Sequence, residues 1–82
     1  MAGSANGGTG ILVNREAVVS EFTFVGGAKV PGIVLLQDGG LLRWELRTRV
    51  ANETKTVKFH GLQFSTNVRV QVVNGTAYIE YE

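Results

Sequence analysis

Between Leu42 and Val50 the chain alternates without a break: Leu42, Trp44, Leu46, Thr48 and Val50 share one parity, and Arg43, Glu45, Arg47 and Arg49 share the other. A period of two marks extended backbone whose two faces meet different surroundings, because successive side chains of a strand point to opposite sides. No stretch keeps a 3.6-residue apolar period long enough for a helix, so the chain reads as all-β. The rhythm returns near the end. Val68, Val70 and Val72 alternate with Arg69 and Gln71, and Ala77, Ile79 and Tyr81 with Tyr78, Glu80 and Glu82. Asn74-Gly75 lies between these runs, and the readiness of both residues for positive φ predicts a two-residue hairpin turn there.

Residues 16–24 are rich in Val, Phe and Thr and stop at Gly26-Gly27; residues 29–37 form an apolar segment that stops at Asp38-Gly39-Gly40. Pro31 cannot donate to a ladder, which puts the start of the second segment on a sheet edge or at a strand beginning. Residues 53–59 alternate again, Lys55, Val57 and Phe59 against Thr54, Thr56 and Lys58. Six strands result, with 11–13 as a seventh, at the spacing of a small β-sandwich of jelly-roll or Greek-key type; an up-and-down barrel is the runner-up. The expected core is Val18, Phe22, Phe24, Leu35, Leu42, Trp44, Leu46, Val57, Phe59, Leu62, Phe64, Val68, Val70, Val72, Ile79 and Tyr81.

A chain of 82 residues makes one domain, and folding at this size buries only about 60–65% of the unfolded surface, so the core is thin. There is no cysteine to staple it. Residues 1–10 are almost all Gly, Ala, Ser, Thr and Asn, a composition that buries too little apolar area to offset its ordering entropy. They are expected to form an extended arm, not a strand, that can be removed without unfolding the body at 11–82. Eight Lys and Arg against seven Asp and Glu leave no basic footprint for a phosphate backbone, so nucleic acid is not expected as a partner. The longest apolar run, residues 33–36, is far below the roughly 20 residues that span a bilayer, and no membrane partner is expected.

Chemistry is expected to be absent. His60 is the only histidine and no cysteine can act as a nucleophile, so no catalytic triad can be assembled. The glutamates at 45, 53, 80 and 82 fall on polar faces or at the terminus. The glycine pairs lack the lysine, hydroxyl and following helix of a phosphate loop, and Asp38, the only aspartate, lacks the oxygen-rich company of a calcium loop. No cofactor, metal or catalytic residue is expected, and the chain is not expected to be an enzyme.

Three features could form a protein interface. One is the arginine row Arg43, Arg47 and Arg49, which also suits a plainly solvated strand face. The second is the segment at 33–36, where Ile33 and Leu35 face one way and Val34 and Leu36 the other; both faces are apolar, so one is expected under the opposing sheet and the other under a partner or the arm, with Ile33 and Leu35 as the interface candidates. The third is the arm itself, represented by Gly7, Gly8 and Ile11 at its junction with the body.

The run Val34-Leu35-Leu36-Gln37-Asp38-Gly39-Gly40, the stretch Gly61-Leu62-Gln63-Phe64-Ser65-Thr66 and the closing segment at 70–81 with its Asn74-Gly75-Thr76 turn resemble small virion-associated proteins of tailed bacteriophages. That resemblance covers 18–82. It implies a capsid decoration (cement) protein that stabilises a coat through inter-subunit contacts, made in the host bacterial cytoplasm and carried in the virion. The implied partner is the major capsid protein or another virion subunit, with homo-oligomerisation as a trimer or dimer. The alternative is a tail- or fibre-associated carbohydrate- or receptor-binding module, which would need an exposed aromatic platform; Trp44 and Tyr78 are its candidates.

Overall fold

The computed structural model describes the backbone of residues 2–82, and the side chains of these positions other than 2, 5, 6 and 7. It is all-β, six strands in one curled antiparallel sheet: β1 (Ala2–Val13), β2 (Ala17–Gly26), β3 (Ile33–Asp38), β4 (Leu41–Arg47), β5 (Thr54–Phe64) and β6 (Val68–Tyr81). The sheet is organised on β6. Ile33 to Gln37 of β3 lie opposite Val73 to Arg69, and β2 takes over from there, with Gly26 opposite Gly75 and Val19 opposite Tyr81. β4 flanks β3, β5 flanks β2, and β1 runs antiparallel to β6 along both halves.

Two sequence expectations are corrected here. The predicted hairpin at Asn74-Gly75 does not form; 68–81 is one strand. A type I′ turn needs two residues at positive φ, and only Asn74 has one (55°). The single left-handed residue kinks the strand instead, and alternation changes phase across it: Val68, Val70 and Val72 point into the core on one side, Ala77 and Ile79 on the other. The second correction concerns the arm. Its residues are most of β1, from Ala2 opposite Glu80 to Gly10 opposite Val70. Strand pairing uses only backbone N–H and C=O groups, which glycine carries like any residue, and β6 offers a long edge to receive them.

The chain folds back at the kink through glycines. Gly26 N–H donates to Glu53 O (2.7 Å), Gly27 N–H to Asn74 O (2.7 Å) and Thr48 N–H to Gly32 O (2.8 Å). Thr48, 1% exposed, accepts the Gly32 N–H on its Oγ1 at 2.8 Å, so a buried hydroxyl and a buried amide satisfy each other. A Cβ at Gly32 would lie 2.8 Å from that Oγ1 and 2.9 Å from Asn74 O. Glycine is what lets these segments pass.

Curling brings the two halves over one core of Val13, Ala17, Val19, Phe22, Phe24, Val34, Leu36, Phe64, Val68, Val70, Val72, Ala77 and Ile79. Phe22, Phe24, Phe64, Val68, Val70, Val72 and Ile79 match the sequence expectation. Val18 and Leu35 do not. Val19 and Glu21 pair around an irregularity at Ser20, which puts Ala17 and Val19 inward together with Phe22 and Phe24. In β3 the inward pair is Val34 and Leu36. β4 is an edge strand, so Leu42 (50% exposed) and Trp44 (39%) are not core, while Leu46, Phe59, Leu62 and Tyr81 pack on it partly buried. Val57, opposite Phe22, is likewise half-buried.

Side chains close the seam between β4 and β5. Trp44 meets Phe59 edge-on with centroids 5.3 Å apart. Arg43 lies over the Phe64 ring at 5.6 Å and donates to Gln63 O at 2.8 Å. At one end the Asp38 carboxylate accepts the N–H groups of Ser65 (2.8 Å), Thr66 (2.8 Å) and Asn67 (3.4 Å), and Asn67 Oδ1 accepts the Gly39 N–H at 2.9 Å. The Ser65 and Thr66 amides, helped by that of Asn67 and by Arg43 and opposed by desolvation, hold the Asp38 carboxyl below the usual carboxylate range.

A carboxyl that titrates lower in the folded chain than in the unfolded one stabilises the fold fully above its ordinary pKa, about 3.9, and that contribution fades as pH falls through the lowered value. Asp38→Asn is therefore expected to lower the thermal midpoint near neutral pH. The difference from wild type should shrink toward zero as melts are repeated down to about pH 2. A gap that is constant across this range would show that the carboxylate charge plays no part.

Candidate functional site

Directly opposed residues in a sheet project to the same side, so register assigns the outer face of the β1–β6–β3–β4 half row by row. One row is Ile11, Arg69, Gln37 and Leu42. The next is Thr9, Gln71, Leu35 and Glu45, and the third is Val73, Ile33 and Arg47. Ile11 (52% exposed), Leu42 (50%) and Val73 (51%) stand well out of the surface, and Ile33 and Leu35 are half-buried among them. Leu35 occupies the middle row, with Ile33 and Gln37 two residues away on its own strand. Charge is confined to Arg69, Glu45 and Arg47, and Arg47 Nη2 bonds Glu45 Oε2 at 3.2 Å. Three large apolar side chains stand half in water within three rows, with Arg69 and Gln37 between Ile11 and Leu42 in theirs, which makes this face the candidate contact surface.

Of the residues expected at an interface, Ile11, Ile33, Leu35 and Arg47 come together on this face. Arg43 does not join them, because it is engaged on Phe64 and Gln63 across the seam. Arg49 lies beyond the end of β4, exposed, its N–H bonded to Glu53 Oε1 at 3.0 Å. Gly8, exposed at φ 77°, sits where β1 and β6 slip register, opposite the buried Val72; Gly7 precedes it in β1, within the same slip between Asn6 and Gly8. The expected arginine row is thus one residue of the face.

Sequence reasoning missed Leu42, Val73 and Arg69. Alternation puts Leu42 inward with Trp44, but Leu36 opposes Trp44 while the adjacent Gln37 opposes Leu42, leaving Arg43 as an extra residue. That bulge turns Leu42 outward. Val73 did leave a trace: it follows Val72 directly, an apolar pair in a run that otherwise alternates.

The aromatic candidates are separated. Trp44 lies in the seam against Phe59, whereas Tyr78, 47% exposed, stands on the outer face of the other half. His60 is exposed on β5 beside Gly61, which is at φ 90°. A search of family models, of curated proteins and of solved structures found no match to this chain.

Proposed function

We propose that the protein is a structural assembly subunit that docks through the outer face of β1, β6, β3 and β4, and that it serves as a coat-decorating component of a phage virion. The observation that carries the reading is the row arrangement of Ile11, Leu42, Val73, Ile33 and Leu35, with Arg47, Glu45 and Arg69 among them. Apolar anchors interspersed with a few charges are the anatomy of a protein contact. A standard interface draws about 800 Å² from each partner, which is about a sixth of this chain's 4750 Å², so one face is enough to hold it.

The two halves of the curled sheet act as a small sandwich, and the placement of the last strand, β6, between the consecutive strands β1 and β2 suits a Greek-key or jelly-roll order. The partner is the major capsid protein or another virion subunit, and copies of the chain gather as trimers or dimers around symmetry axes of the coat. No catalysis is involved. The resemblance described above supplies the virion; the exposed anchors supply the mode of attachment.

The paired substitution Leu42→Asp and Val73→Asp tests this. Each of these side chains is half in water, so the domain is expected to fold, while two buried charges at the contact are expected to reduce occupancy on purified phage particles at least about 100-fold. Wild-type chain that does not co-sediment with particles, or a double variant that stays fully attached, would remove the basis for the proposal.

A further inference from the structure

The opposite half of the sheet has an outer face of different chemistry. One row across it is Ser4, Tyr78, Thr23 and Thr56, read from β1 through β6 and β2 to β5. Its members carry hydroxyls throughout, and Thr23 Oγ1 lies 3.2 Å from Thr56 Oγ1. With strands about 4.8 Å apart the row is roughly 14 Å long. Ser4 and Thr23, the side chains directly beside Tyr78, are both short, so the phenol ring stands above its neighbours. Against it lies a hollow of about 280 Å³ lined by Gly3, Ser4, Tyr78, Ile79 and Glu80. Glu80 is two residues along β6 from Tyr78 and is exposed on the same face.

We propose that this face binds a polysaccharide, with one pyranose ring stacked on Tyr78 and its hydroxyls held by Glu80 and Ser4. A sugar ring presents C–H groups on its flat side and hydroxyls at its rim. An exposed aromatic ring supplies an apolar surface for the first. A carboxylate with two acceptor oxygens takes a pair of neighbouring hydroxyls, and serine and threonine hydroxyls both donate and accept. Thr23 and Thr56 continue the row beyond the ring and serve the adjoining saccharide units. Charge narrows the ligand further: the neighbouring row places Glu80 and Glu21 against Lys58, a balance that repels phosphate and suits a neutral or amino sugar. Tyr78 is the one large exposed apolar side chain among the described residues of this row, against several on the docking face, so a protein partner fits it poorly.

The site shares no side chain with the docking face, so the two readings fail separately. Wild-type chain is to be co-sedimented with insoluble chitin, with cellulose and with purified peptidoglycan, and folding of every variant checked by circular dichroism. Retention on at least one of the three is expected. Tyr78→Ala should lower the retained fraction at least about tenfold and Glu80→Gln should lower it less, whereas Trp44→Ala and Leu42→Asp should leave it unchanged. Retention on none of the three glycans would overturn the proposal. Retention that survives both Tyr78→Ala and Glu80→Gln, or that is lost with Trp44→Ala instead, would overturn it as well.

Discussion

Gly75→Ala is expected to destabilise the domain by about 3 kcal/mol or more, at or beyond the upper end for an added methyl in a packed interior. A Cβ built there would stand 2.5 Å and 2.6 Å from Cε1 and Cζ of Phe24, and 2.7 Å from the carbonyl oxygen of Val25. Neither neighbour can give way cheaply. The Phe24 ring is wholly buried, and Val25 is in the ladder of β2, opposite Thr54 and Thr76. A domain of 82 residues has a total stability of about 4–12 kcal/mol, so the substitution removes a large share and leaves the weaker end of that range only marginally folded. Equilibrium urea unfolding measures it, with Gly40→Ala as the control. A Cβ at Gly40 meets nothing within 4 Å, and a surface change of that kind stays within about 0.5 kcal/mol. Equal midpoints for the two variants would mean that β6 does not pass this close to Phe24.

The same glycine shows where the sequence stops being informative. Asn74-Gly75 can serve a hairpin or a kink, and local pattern cannot see that the chain here runs on against β2, with Gly75 close against the Phe24 ring. Alternation correctly put Phe22, Phe24, Val68, Val70, Val72 and Ile79 inside because each lies within a run of unbroken phase. It failed at the irregularities: Ser20 separates Val19 from Phe22, Arg43 separates Leu42 from Trp44, and Asn74 separates Val72 from Ala77. An inserted residue costs little in its own segment and is fixed by the partner strand, so nothing in the local composition announces it. The docking face was half legible for the same reason. Ile33 and Leu35 were exposed by their apolar partners on the other parity, whereas Leu42 was hidden by the bulge that turns it out.

Composition misjudged the first ten residues in another way, and the energetics of β1 decide what their removal should do. Backbone hydrogen bonds contribute about 1 kcal/mol each net, while ordering a residue costs about 1–2 kcal/mol, and more for glycine. A strand this rich in glycine therefore adds little to stability, and deleting residues 1–10 is expected to shift the urea midpoint only modestly. The larger consequence lies on β6. Its edge from Val70 to Glu80 loses the partners running from Gly10 to Ala2, and an uncovered central strand of that length is a template for pairing with another chain. The truncated protein is thus expected to lose the size of the intact chain in size-exclusion chromatography with light scattering and to run as larger species. Adding a synthetic peptide of residues 1–13 should restore that size by occupying the vacant edge, the mode in which a donated strand completes a sheet. A truncated chain that elutes at the size of the intact protein, and ignores the peptide, would mean that β1 does not guard β6 at all.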